Sequence, residues 1–151
     1  MVLSALTDQG EKAVSFGNLS RASGLAPATL AQRFGSVEAM LQAALSSEWD
    51  RLAAAVETEG ADAEKGTQGL LKRLPVPSPA VLAASLRDPV LRARADDWRE
   101  RVETVVALRR GAGAKGREVA AMLVAAWYGR ILWDAFGTKG FKLSDLMKRL
   151  V

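Results

Sequence analysis

The sequence contains no cysteine and no histidine. The first absence removes any disulfide framework and any thiolate metal site. The second takes away the usual general base and would leave a zinc ion only carboxylates to bind. No pair of acids sits in an apolar setting, and no phosphate-cradling glycine loop follows a strand pattern. The glycine-rich stretch 111–116, GAGAKG, lacks the Gly-Lys-Ser/Thr ending of a phosphate loop and reads as a connection between helices. These absences speak against an enzyme, so no catalytic residue, metal ligand or cofactor is assigned. A long hydrophobic run is also missing. The most apolar stretch, 119–133, is too short to span a bilayer and is interrupted by Arg130. The opening MVLSALTDQGEK lacks the positive start of a signal peptide and reaches an acid at Asp8. The expectation is a cytoplasmic chain without a membrane partner.

Among its 151 residues, 49% are apolar, enough to build a core. Alanine and leucine dominate, there is one tyrosine, and runs of valine and isoleucine are short, which favours helix over sheet. An all-α fold is expected. Charge is unevenly spread. Residues 1–35 hold three bases against two acids, 36–66 two against seven, 67–110 nine against five, and 111–151 seven against three. The arginines of 87–101 alternate with acids and read as a solvated, salt-bridged face.

Punctuation along the chain divides it into helices. A first helix over 2–9 ends at Gly10, with Val2, Leu3 and Leu6 on its apolar side. Ser15 caps a helix over 16–22, with Phe16 and Leu19 facing inward. Ser23-Gly24-Leu25 forms a turn, and Pro27 opens a helix to about 33, with Leu30 and Phe34 inward. Gly35-Ser36 ends it and caps the next. That long helix covers 37–59 with Leu41, Leu45, Trp49, Leu52 and Val56 on one stripe. Another helix runs over 63–74, then three prolines in 75–79 exclude helix interior. Pro79 opens a short helix to 86. Asp88 caps a long helix over 89–110 with a stripe of Leu91, Ala95, Trp98, Val102 and Val105. The last long helix starts at 115 or 116 and reaches 136, and a short one covers 143–151.

Two short helices around Ser-Gly-Leu, followed at once by a long helix, is the sequence form of a helix-turn-helix. Glycine permits a positive φ in the turn, and Leu19, Ala22, Leu25 and Leu30 are expected to lock the helices together. The second helix then presents Ala28, Thr29, Gln32 and Arg33 outward, and such a helix fits the DNA major groove. Thr29 and Gln32 suit base edges, whereas Arg21 and Arg33 suit phosphate or plain surface charge.

Over residues 3–45 the chain resembles the tetracycline-repressor (TetR) family of transcription regulators. The resemblance is carried by Ser15, Leu19-Ser20, Ser23-Gly24-Leu25, Ala28-Thr29-Leu30, Phe34, Ser36, Glu38 and Met40-Leu41. It implies a helix-turn-helix DNA-binding domain over 1–45 and a helical ligand-binding and dimerisation domain over 46–151. It also implies a ligand-responsive repressor that binds a palindromic operator as a homodimer. Ser15, Arg21, Pro27, Ala28, Thr29, Gln32, Arg33 and Ser36 become the candidate DNA contacts. Ala31, Val37 and Ala26 stand where the family usually has a tyrosine, a lysine and a serine cap. The first two normally touch phosphate, so weak and salt-sensitive binding is expected.

In the body, Trp98, Val102, Met122 and Trp127 are the candidate pocket for a small apolar ligand, although aromatics at helical spacing are more often plain core. The helix of 116–136 is apolar on more than one face. Leu123, Ala126, Arg130 and Leu146 are therefore candidate dimer contacts, in keeping with the resemblance, which implies dimerisation through the last two helices. A competing reading remains open: a helical, dimeric ligand-binding or interaction protein whose head has lost strong DNA binding.

Overall fold

The computed structural model describes residues 1–62, 66–111, 113–137 and 140–150. Among them the fold is all-α, with nine α-helices and no strand. In chain order these are α1 (Val2–Gln9), a 3-10 turn (Glu11–Ala13), α2 (Phe16–Ser23), α3 (Pro27–Phe34), α4 (Val37–Gly60), α5 (Thr67–Arg73), α6 (Pro79–Ser85), α7 (Pro89–Arg110), α8 (Ala114–Asp134) and α9 (Leu143–Arg149). No helix among the described residues is long and apolar enough to cross a membrane.

Local chemistry sets most of these ends. Ser15 accepts the Asn18 N–H at 3.1 Å and starts α2, and Ser78 accepts the Val81 N–H at 3.3 Å ahead of Pro79. The Asp88 carboxylate accepts the Val90 and Leu91 N–H groups at 2.8 and 3.3 Å. A hydrogen bond from the Gln42 amide, aided by those two backbone donors, holds the Asp88 carboxyl below the usual range. Most expected ends hold to within a residue, and three shift or fall partly outside the described residues. The helix expected over 63–74 is described from Thr67, and residues 63–65 lie outside the described set. Helix α8 stops at Asp134 rather than 136, its end followed by a turn at Ala135–Gly137. Helix α9 ends at Arg149, and Val151 lies outside the described residues.

The chain forms two compact units. Met1–Arg51 with Pro77–Ala95 make the first, and Leu52–Val76 with Asp96–Val151 the second. The first is wider than the 1–45 segment: it adds α6 and the first turns of α7. Helices α4 and α7 each pass from one unit into the other.

In the first unit α1 packs on α6 and α2 on α3. Trp49 is 1% exposed, and its indole N–H donates to Ser85 Oγ at 3.0 Å, which donates to the Val81 carbonyl at 2.7 Å. Leu45 is buried on the same stripe. Met40 is buried too, whereas Leu41 is only half-buried. At about 100° per residue, Met40 lies roughly 180° around α4 from Trp49. The beginning of α4 is thus covered on two sides, which a single-stripe reading misses.

In the second unit Leu52 and Val56 of α4, Leu70 and Leu71 of α5, and Val102 and Val106 of α7 are all buried. Val106 takes the place expected for Val105, which is half-buried. A Cβ at Gly60 would lie 2.9 Å from Val105 Cγ1, so glycine is what lets the end of α4 approach α7. The Arg109 guanidinium donates to the Gly60 and Asp62 carbonyls at 3.0 and 2.8 Å. Helix α9 packs on α8.

Candidate nucleic-acid interface

The site in the first unit is built from α2, a turn and α3. Gly24 ends α2 with φ 74° and ψ 0°, the left-handed conformation that glycine adopts without a Cβ penalty, and its N–H reaches the Ser20 carbonyl at 2.9 Å. Pro27 occupies the first turn of α3, and Ala26 before it offers no side-chain cap. Leu19 and Leu30 are buried, one from each helix.

Two residues expected in that lock are not part of it. Leu25 is 44% exposed, because it sits in the turn between the two helical stripes. Ala22 is exposed as well: with Arg21 it borders an open hollow of about 500 Å³ shared with Ser4 and Asp8 of α1. Phe16 and Phe34 are half-buried rather than core.

With Leu30 inward, the outer side of α3 is left to Pro27, Ala28, Thr29, Gln32 and Arg33, all exposed. Thr29 and Gln32 can each donate and accept, as base edges require. The Arg33 guanidinium lies 5.4 Å from the Phe34 ring centroid. Arg21 is exposed but turned onto its own helix, donating to Asn18 Oδ1 at 2.7 Å and to the Gly17 carbonyl at 3.5 Å. Ser15 and Ser36 are half-buried caps; Ser36 Oγ accepts the Ala39 N–H at 3.0 Å at the start of α4. Their oxygens are occupied as acceptors, while each hydroxyl proton can still be donated.

The chain matches no protein-family model, no curated protein and no solved structure. The residues alone carry the functional reading.

The arginines of 87–101 add little to a cationic surface. Arg87 pairs with Glu11 at 3.1 Å, Arg94 pairs with Asp50, and Arg99 pairs with Asp96 and Glu103 at 2.7 and 2.6 Å. Arg101 pairs with Asp97 and Glu57. The hydrogen bonds that Arg99 donates to Asp96 and Glu103 raise its pKa above the usual value. Exposed pairs of this kind contribute about 0–1 kcal/mol each. They neutralise Arg87, Arg94, Arg99 and Arg101, as the alternating signs lead one to expect, and leave Arg92 exposed.

In the second unit the candidate pocket residues separate. Trp98, Val102 and Trp127 are buried, and the Tyr128 ring meets Trp98 edge-on at 6.2 Å. Burial pushes the Tyr128 phenol up to about 12. Met122 does not join them: it is 43% exposed, roughly 140° around α8 from Trp127. The candidate dimer residues separate in the same way. Leu123 is fully buried within its own unit and cannot face a partner. Ala126, Arg130 and Leu146 are half-buried, and Arg130 pairs with Asp134 at 3.8 Å.

What sequence reasoning missed is the open apolar side of α8. Trp133 is 65% exposed and Phe136 77%, with ring centroids 5.5 Å apart. Met122, Gly129 and Trp133 follow one another at seven- and four-residue steps, on the side opposite the buried Ala120, Val124 and Trp127. The spacing was available in the sequence. The sequence did not reveal which of the two apolar stripes is covered inside the chain.

Proposed function

We propose that this chain is a DNA-binding transcription regulator of the tetracycline-repressor type. In this reading it acts as a homodimer on a palindromic operator, with α3 entering the major groove. The observation that carries the reading is the exposure of Thr29, Gln32 and Arg33 on a helix whose Leu30 is buried and which is entered through a left-handed glycine turn. A ligand-responsive repressor is its fullest form, with the buried aromatic region of Trp98 and Trp127 as the place where the body would respond to a small apolar ligand.

Fluorescence anisotropy with labelled duplex from upstream of its own gene tests this. Binding is expected to be weak and steeply salt-dependent, because α2 and α3 carry only Arg21 and Arg33 as cations. Gln32→Ala is expected to cost about 1–3 kcal/mol on the preferred sequence and to relax preference. Arg33→Ala is expected to weaken all sequences alike and to lower the salt slope by about one unit. Joint Ala31→Tyr and Val37→Lys substitutions, at two half-exposed positions, are expected to strengthen binding by adding phosphate contacts. No measurable binding by that double variant at low salt removes the reading.

The dimer has its own support in the uncovered stripe of α8. To read two half-sites, such a dimer needs its α3 helices about 34 Å apart, one turn of DNA. Sedimentation equilibrium at micromolar concentration is expected to return a dimer, and a lone monomer overturns this part. A second reading is favoured by the Arg21–Asn18 bond, which turns one of the two available cations away from a phosphate. There the head is retained as structure, and the protein binds a ligand or another protein.

A further inference from the structure

The end of α7, the start of α8 and the end of α9 border a cleft of about 420 Å³ in the second unit. Three of its lining side chains are cationic, Arg109, Arg110 and Lys115, and none of the lining residues among those described is acidic. Arg110 is anchored by donating to the Met147 carbonyl at 3.1 Å, which positions its guanidinium without cancelling the charge. No ion pair among the described residues engages Arg110 or Lys115. Gly111 and Gly116 line the cleft without side chains. Their approach is so close that a Cβ on Gly116 would lie 2.1 Å from the Gly111 oxygen. Val119 and Leu150 add a small apolar surface. This arrangement contrasts with the middle of α7, where Arg99 and Arg101 close on carboxylates.

We propose that this cleft binds a small multivalent anion bearing phosphate or carboxylate groups. The volume falls within the range of small-ligand sites, about 300–1,000 Å³. A guanidinium held on a carbonyl and a lysine on the first turn of α8 put two charge-assisted donors on the lining of one cleft. The positive end of the 21-residue α8 adds a field of the same sign. The cleft lies on residues that the DNA reading does not use, so the proposal stands or falls without it.

Isothermal titration calorimetry of the full chain with pyrophosphate at low salt tests it, with citrate as a second probe to separate phosphate from carboxylate preference. Saturable one-to-one binding is expected, weakening as salt is added. Lys115→Glu, at an exposed position, is expected to reduce affinity by about tenfold or more. Arg110→Gln is expected to weaken binding as well, and Lys72→Glu, on exposed α5 surface, to leave it unchanged. Circular dichroism spectra matching the wild type keep a lost fold from imitating a lost site. Three results overturn the proposal. One is no saturation with either probe. Another is equal losses in Lys115→Glu and Lys72→Glu. The third is displacement of pyrophosphate by a single-stranded oligonucleotide at lower phosphate concentration, which makes the surface a nucleic-acid contact.

Discussion

Replacing Trp49 with alanine is expected to lower stability by about 3–5 kcal/mol. That is a large share of the roughly 5–15 kcal/mol holding a typical domain folded. The ring is 1% exposed, and its N–H is tied through Ser85 to the Val81 carbonyl of α6. Removing it opens a cavity and breaks the polar link between α4 and α6. Urea unfolding read by far-UV circular dichroism measures the loss. Trp49→Phe keeps most of the apolar volume and is expected to cost clearly less. If alanine and phenylalanine cost the same, packing around this ring is not what stabilises the first unit.

Two glycines of α8 are expected to respond to alanine with opposite signs. At Gly116 the added Cβ would sit 2.1 Å from the Gly111 oxygen and 3.2 Å from its carbonyl carbon. Those are backbone atoms and cannot rotate aside, so the connection must move. Overpacking of this kind costs about 1–3 kcal/mol. At Gly129, inside the helix, nothing lies within 4 Å of an added Cβ. There alanine is expected to stabilise the folded chain by up to about 1 kcal/mol through helix propensity. Gly129 also shares the open side of α8 with Met122 and Trp133. A methyl group there is expected to raise the melting temperature and lower the dimer fraction in sedimentation. Destabilisation by Gly129→Ala with unchanged association would contradict both halves.

Helix boundaries were legible wherever a cap or breaker decides them locally. Helix α1 and helix α7 have the ends that Gly10, Asp88 and Pro89 announce. The turn at Gly24 and the inward Leu19 and Leu30 were equally readable, because short helices next to a left-handed glycine leave few choices of face. Errors arose where burial depends on distant neighbours. Periodicity on α4 ranks Leu41 with Trp49, yet Met40 is the buried residue, since the start of α4 is covered from a second side. Periodicity on α8 finds two apolar stripes and cannot say that Leu123 faces inward while Met122 faces out. Leu25 fits the expected lock of the two helices by residue type, yet a turn residue has no stripe to belong to and it stays exposed. The outward set Thr29, Gln32 and Arg33 was legible, but the Asn18 bond that turns Arg21 aside was not. The cation-lined cleft brings the last turn of α7 beside residue 150, a proximity no local pattern encodes.

The unequal burial of the four tryptophans has an optical consequence. Trp49, Trp98 and Trp127 are enclosed, whereas Trp133 stands open at the end of α8 beside Phe136. Indole emission shifts to longer wavelength in water, so the intrinsic spectrum should split into a short-wavelength part from three enclosed rings and a red-edge part from one. A soluble quencher such as acrylamide would collide with the open ring alone. The red-edge signal is therefore a label-free report on the outer side of α8, silent to the interior and responsive to whatever comes to rest against that surface.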